Sequence, residues 1–338
     1  MEHEISEETA FPGLVDLAAE RIGGIALVAS DEFFAEKENL LKPKRGVFIQ
    51  DKYTDRGKWM DGWESRRKRG SGHDWCIVKL GATGIVKIID VDTNHFLGNS
   101  PAYASIEACV APATTSGSDL LSEKVLWHTV VPLSQLRPGS HNLLSVSSSE
   151  PWSHMRLNIF PDGGVARFRV FGEICPQWDH LKTGDLADLA LITNGGKGVA
   201  CSDMFFSQMD NLIMPGQSRS MADGWETRRK RGPGYDWVII QLGREGVVQR
   251  VEVDTTHFKG NYPDRCSLEV CSADSMTVLN WHERQWQPLL PETSLKGNIV
   301  HLFEKELQPS PPCTHVKFNI FPDGGVSRLR IWGHISSS

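Results

Sequence analysis

The sequence predicts an all-β fold, built as two tandem β-sandwich domains of the jelly-roll kind and related by internal duplication. Three observations predict it. Four blocks recur in the same order in both halves of the 338 residues. Within each copy, apolar residues fall in short runs rich in β-branched and aromatic side chains, bounded by Gly, Pro, Asn or Asp. Helical periodicity is weak everywhere except Phe11–Arg21 and Leu186–Ile192, where short helices are expected.

The repeat is read directly. DGWESRRKRG from Asp61 returns as DGWETRRKRG from Asp223, an offset of 223 − 61 = 162, and VDTNHFLGN from Val91 returns as VDTTHFKGN from Val253 at the same offset. RLNIFPDGGVARFRVFG from Arg156 returns at 161 as KFNIFPDGGVSRLRIWG from Lys317. SDEFFAEKENL from Ser30 matches SDMFFSQMDNL from Ser202 at 172, which places a ten-residue insertion in the first copy between Pro43 and Asp61. A period of this length is a duplicated domain rather than a solenoid unit. The Pro- and Gly-bearing stretch around CPQWDHLKTG is the expected linker, 174–184, between domains 1–173 and 185–338.

Taken in order, 74–80 and 84–92 are expected as two strands separated by Gly81–Gly84, and 155–160 as a third. Pro161-Asp162-Gly163-Gly164 is a turn, with Asp162 and Asp323 expected to cap it in the two copies. In Val165–Phe171, Arg167 and Arg169 face opposite to Phe168 and Val170. SD-x-FF at Ser30 and Ser202 is expected as a cap or turn followed by core aromatics, and Trp63 and Trp225 are expected in the core.

Composition excludes several classes. Forty per cent hydrophobic and 23% charged residues suit a chain that buries a real core. Lys+Arg 36 against Asp+Glu 42 gives −6, against a general nucleic-acid binder. No apolar run approaches the ~18 residues of a membrane span. The acidic start MEHEISEETA is unlike a secretory signal, and the end is not Ser-Lys-Leu, so a cytoplasmic location is expected, with a peroxisomal one by another signal left open. Seven cysteines without a C-x-x-C pair predict free thiols and no thiolate zinc site, with Cys109 and Cys271 ordinary strand residues. There is no G-x-S-x-G elbow, P-loop, H-E-x-x-H or dinucleotide fingerprint, and neither a metal nor a cofactor is expected.

The doubled DGWE[ST]RRKRG block carries the candidate chemistry. Glu64 and Glu226 are the first candidates for proton transfer, with Asp61, Asp223, His95 and His257 behind them. Arg66, Arg67, Arg228 and Arg229 offer planar forks for a carboxylate or ureido oxygen, and Asp92 and Asp254 stand near the histidines as further substrate contacts. The plainer alternatives are a solvated basic face, a structural histidine and structural asparagines at Asn158 and Asn319.

DGWE[ST]RRKR, the VDT[NT]HF-x-GN segment and NIFPDGGV, all duplicated, resemble the allantoicase (allantoate amidinohydrolase) family, over almost the whole chain. The resemblance implies two galactose-binding-like jelly rolls packed pseudo-symmetrically, and a homo-oligomer. It also implies a hydrolase of linear ureido C–N bonds that converts allantoate to ureidoglycolate and urea in purine degradation. Whether each domain has its own site or both share one stays open in the sequence. A non-catalytic carbohydrate- or ligand-binding jelly roll, or an inactive relative, is the competing expectation.

Overall fold

The computed structural model describes residues 11, 13–178, 181–182, 184–274 and 281–336. The initial decapeptide and part of the expected linker lie outside them. The chain divides into two compact units, Met1–Cys175 and Pro176–Ser338.

The first unit contains twelve strands among its described residues: β1 (Val15–Asp16), β2 (Ile25–Ala29), β3 (Tyr53–Thr54), β4 (Gly57–Lys58), β5 (Trp63–Glu64), β6 (Asp74–Asp92), β7 (Tyr103–Cys109), β8 (His128–Gln135), β9 (Leu143–Ser145), β10 (Pro151–Phe160), β11 (Gly164–Val165) and β12 (Arg167–Ile174). Eight of them form one sheet system ordered β1-β12-β6-β10-β7-β8, with β2 and β9 also on β6. The 19-residue β6 organises the unit. Its first half pairs with β10 and β2, as in Cys76 with Leu157 and Ala29, and its second half pairs with β12 and β9, as in Ile89 with Val170 and Leu144. All these pairings are antiparallel.

Two expectations are corrected here. Residues 74–80 and 84–92 are one continuous strand, because flanking partners take up hydrogen bonds along both halves and the change of neighbours is absorbed by a register shift between Trp152 and His154. The helix expected at Phe11–Arg21 is instead β1 followed by a single 3-10 turn at Glu20–Ile22. Leu17 there donates its amide to the Val170 carbonyl at 2.7 Å and is fully buried, so docking on the sheet edge overrides a weak local preference.

Alternation builds the core. Cys76, Val78 and Leu80 of β6, Ala104, Ile106 and Ala108 of β7, Met155, Leu157 and Ile159 of β10, and Phe168 and Val170 of β12 share one buried cluster. Each large aliphatic or aromatic side chain so buried contributes roughly 1.5–3 kcal/mol. Ile77 and Cys109 point the other way, into a smaller cluster with Leu120 at the end of the short helix α1 (Gly117–Leu120).

The second unit repeats this plan with β13 (Ala187–Asp188), β14 (Lys197–Cys201), β15 (Trp225–Glu226), β16 (Asp236–Asp254), β17 (Arg265–Cys271), β18 (Gln287–Ser294), β19 (Val300–Phe303), β20 (Cys313–Phe321), β21 (Gly325–Val326) and β22 (Arg328–Ile335). Its sheet order, β13-β22-β16-β20-β17-β18 with β14 and β19 on β16, matches the first strand for strand. The segment Leu186–Ile192 holds β13 rather than a helix, for the same reason as β1. The β3–β4 hairpin, inside the insertion, is without a counterpart among the described residues of the second unit.

Candidate active site

In each unit a two-residue ribbon brings the repeated motifs together. β5 pairs with β11, Trp63 opposite Val165 and Glu64 opposite Gly164, and β15 pairs with β21 in the same register. Trp63 is fully buried and donates its indole N–H to the Asp31 carbonyl at 2.8 Å; Trp225 does the same to Asp203. Strand alternation then turns the next residue, Glu64 or Glu226, away from the core.

The PDGG turns lie under these strands. The Ser65 amide donates to the Gly163 carbonyl at 3.1 Å, and Thr227 donates to Gly324 at the same distance. Asp162 was expected to cap its own turn; instead its carboxylate accepts the Lys68 amide at 2.7 Å, and Asp323 accepts Lys230 at 2.8 Å. These bonds tie the turn to the basic loop. Lys68 Nζ reaches Asp74 at 2.8 Å, and Lys230 reaches Asp236 at 3.0 Å.

Glu64 Oε1 accepts a 2.6 Å hydrogen bond from Asn99, and Glu226 accepts one of equal length from Asn261. The second oxygen of Glu64 has no protein partner among the described residues. Burial raises the Glu64 pKa above the usual carboxylate value, outweighing the Asn99 bond that lowers it.

Arg66 is held rather than free. Asp31 accepts from its amide at 2.8 Å, from Nε at 2.7 Å and from Nη2 at 2.6 Å. Asp203 receives Arg228 at 2.9, 2.8 and 2.8 Å. Burial pushes Asp31 upward, but the Arg66 side chain and the Arg66 and Phe33 amides hold it below the usual range. Arg67 and Arg229 are exposed on the same loops. The SD-x-FF aromatics are not core residues: Phe33 and Phe34 are partly exposed and meet edge to face, as do Phe205 and Phe206. The arginines lie over them, Arg66 at 5.2 Å from Phe33 and Arg228 at 5.1 Å from Phe205.

The remaining candidates are placed elsewhere. Asp61 pairs with the buried Arg167 at 2.8 Å and Asp223 with Arg328 at 3.0 Å. The same guanidiniums bind backbone carbonyls, Arg167 to Lys44 and Asp61, Arg328 to Gly216 and Asp223. These ion pairs staple the loop before each DGWE block. Asp92 is buried and binds Arg45 and the Asn94 amide, while Asp254 is buried and binds the Thr256 amide. His95 and His257 hold left-handed backbones, φ 67 and 74. His95 packs on Phe48, and His257 Nε2 lies 2.9 Å from the Ser218 carbonyl oxygen; among the described residues neither histidine bonds to Asp92 or Asp254. Asn158 and Asn319 are buried on the sheet, donating to Glu107 and Glu269.

Sequence reasoning missed Asn99/Asn261 as partners of the glutamates and Asp31/Asp203 as partners of the arginines. Their signal is present in the sequence, since both pairs recur within matched blocks. Among the described residues no group of three metal-ligating side chains occurs.

A family model described as the allantoicase repeat matches residues 15–175 and 187–336. The chain is 49% identical over 324 residues to the probable allantoicase 2 of Burkholderia pseudomallei, covering 95% of each chain. It is 47% identical to the probable allantoicase of Ralstonia nicotianae, covering 94% of each. The crystal structure of allantoicase from Saccharomyces cerevisiae superposes with a TM-score of 0.77 at 34% identity, covering 95% of this chain and 93% of that one.

Proposed function

The chain belongs to the allantoicase family, and we propose that Glu64, with Glu226 in the repeated unit, handles the proton as it hydrolyses allantoate to ureidoglycolate and urea in purine degradation. The observation that carries this assignment is that the carboxylate borne by each ribbon strand itself, Glu64 or Glu226, has no cationic partner among the described residues, whereas Asp31 and Asp203 are occupied by Arg66 and Arg228, and Asp61 and Asp223 by Arg167 and Arg328.

In allantoate one carbon bears a carboxylate and two ureido groups. Breaking its bond to one ureido nitrogen needs a proton on that nitrogen, and the cation left behind is delocalised onto the other. A protonated Glu64 supplies the proton and urea departs. The ionised Glu64 then takes a proton from water as its oxygen bonds to the carbon, giving ureidoglycolate and restoring the acid. One carboxylate thus serves as acid and then as base. Its raised pKa favours the first role, and the Asn99 bond fixes the oxygen that is not needed for transfer. Arg67, exposed on the same loop, would orient the anionic substrate, while Arg66 is held by Asp31.

Steady-state kinetics on allantoate, reading glyoxylate derived from ureidoglycolate, test this. The Glu64→Gln/Glu226→Gln double variant should lose ~100- to 10,000-fold in kcat with its fold intact. Near wild-type turnover would remove both glutamates from the mechanism. The reading includes a homo-oligomer, as the family resemblance implies, which light scattering after size exclusion measures. It also includes a cytosol-like compartment, supported by seven free thiols; no helix among the described residues is long and apolar enough to cross a membrane.

A further inference from the structure

The two units repeat the same glutamate and arginines but differ in the cations left to receive a substrate carboxylate. Asp31 cancels Arg66 before any ligand arrives, and Asp203 cancels Arg228. Arg167 and Arg328 are spent on Asp61 and Asp223, and Lys68 and Lys230 on Asp74 and Asp236. Arg67 and Arg229 remain in both units, so they cannot distinguish them. The first unit adds one more guanidinium, Arg56, in the turn of the β3–β4 hairpin. Arg56 Nη1 donates to the Phe33 carbonyl at 3.0 Å, and its guanidinium carbon stands 5.3 Å from the Phe33 ring.

Phe33 therefore carries two guanidiniums, Arg56 and Arg66, where Phe205 carries Arg228. One nitrogen holds Arg56 in place, and its Nε–Nη2 edge has no carboxylate partner among the described residues. The insertion also covers the aromatics: Phe33 and Phe34 are 40% and 37% exposed, against 64% and 60% for Phe205 and Phe206. Phe34 and Ala35, which follow the residue that holds Arg56, donate their amides to the Glu64 carbonyl at 3.2 and 3.3 Å, and a planar fork anchored there suits a small ligand that bears a carboxylate and ureido groups.

We infer that Arg56 binds the carboxylate of the substrate and so makes the first unit the main seat of turnover. This rests on Glu64 being the proton-handling group. The role is orientation and binding, so its mark falls on KM more than on kcat. Charge-assisted hydrogen bonds of this kind are lost at a cost equivalent to about 10- to 100-fold in binding.

The experiment uses the full chain with allantoate as ligand. Arg56→Ala should raise KM about 10- to 100-fold with kcat changed far less and the thermal transition unmoved, because Arg56 is exposed and bears no buried load. Arg56→Lys should recover part of the loss, since it keeps the charge without the fork. Glu64→Gln should cost at least about tenfold more in kcat than Glu226→Gln. A KM for Arg56→Ala within twofold of wild type overturns the inference, and so does a Glu226→Gln loss equal to that of Glu64→Gln. Full turnover by the double glutamine variant would instead overturn the glutamate assignment beneath it, so the two failures are told apart.

Discussion

Glu64 and Asp61 are three residues apart and are both carboxylic acids, yet burial and partners shift their pKa values in opposite directions. Burial raises the pKa of Glu64, outweighing the Asn99 bond, so ionising it costs more in the fold than in the unfolded chain. The cost of ionising it in the fold therefore begins above the ordinary glutamate value of about 4.3 and is complete above the raised one. Glu64→Gln removes that cost, and its melting temperature at neutral pH should rise slightly while kcat falls. A lowered melting temperature would mark Glu64 as a packing element. For Asp61, burial raises the pKa, but the bond to Arg167, with help from the Val47 amide, brings it below the usual range. Its stabilisation is fully present above the ordinary aspartate value of about 3.9 and is lost as pH falls below it. Asp61→Ala leaves Arg167, 2% exposed, without its anion and should cost about 3 kcal/mol in a urea melt at neutral pH. The gap from wild type should close in acid. A stable Asp61→Ala protein lacking activity would return Asp61 to the catalytic candidates.

At the scale of elements, the site depends on how closely β5 and β11 approach the loop after β6. A Cβ on Gly164 would lie 2.0 Å from the buried Phe96 ring, and on Gly325 it would lie 1.9 Å from Phe258. Gly163 is constrained differently, with φ 138 and the Asn99 carbonyl 2.6 Å from any added Cβ. Gly98, in the same repeated blocks, faces open space. Gly164→Ala should thus destabilise by at least about 1–3 kcal/mol through overpacking, whereas Gly98→Ala should stay within about 0.5 kcal/mol in the same denaturant titration. Equal effects would mean the ribbon is not tightly seated on Phe96. These glycines look alike in sequence, and what separates them is a phenylalanine that arrives from a distant segment.

Across the whole molecule, the seven cysteines are free, and five of them are buried. Burial pushes Cys109 and Cys271 up to about 11, and Cys201, Cys266 and Cys313 up to about 12, and raises Cys76 as well. The thiolate is the reactive form, so native thiols should react slowly with a disulfide reagent at neutral pH, with the partly exposed Cys175 the quickest. In denaturant without reductant all seven should react. A count below seven would reveal a disulfide and contradict an assignment to a reducing compartment.

The sequence by itself determined the duplication, the all-β class, the strands at 155–160 and the buried Trp63 and Trp225, because repetition and period-two alternation are local properties of a chain. It also identified Glu64 and Arg66 as a repeated pair. Tertiary structure alone decided that Arg66 belongs to Asp31, thirty-five residues away, and Asp61 to Arg167, 106 residues away. It decided equally that 74–92 is unbroken, since its partners β2, β9, β10 and β12 are scattered from residue 25 to residue 174. Ion pairing and strand register depend on which groups come within a few ångströms, and that distance is set by how the sheet assembles rather than by spacing along the chain.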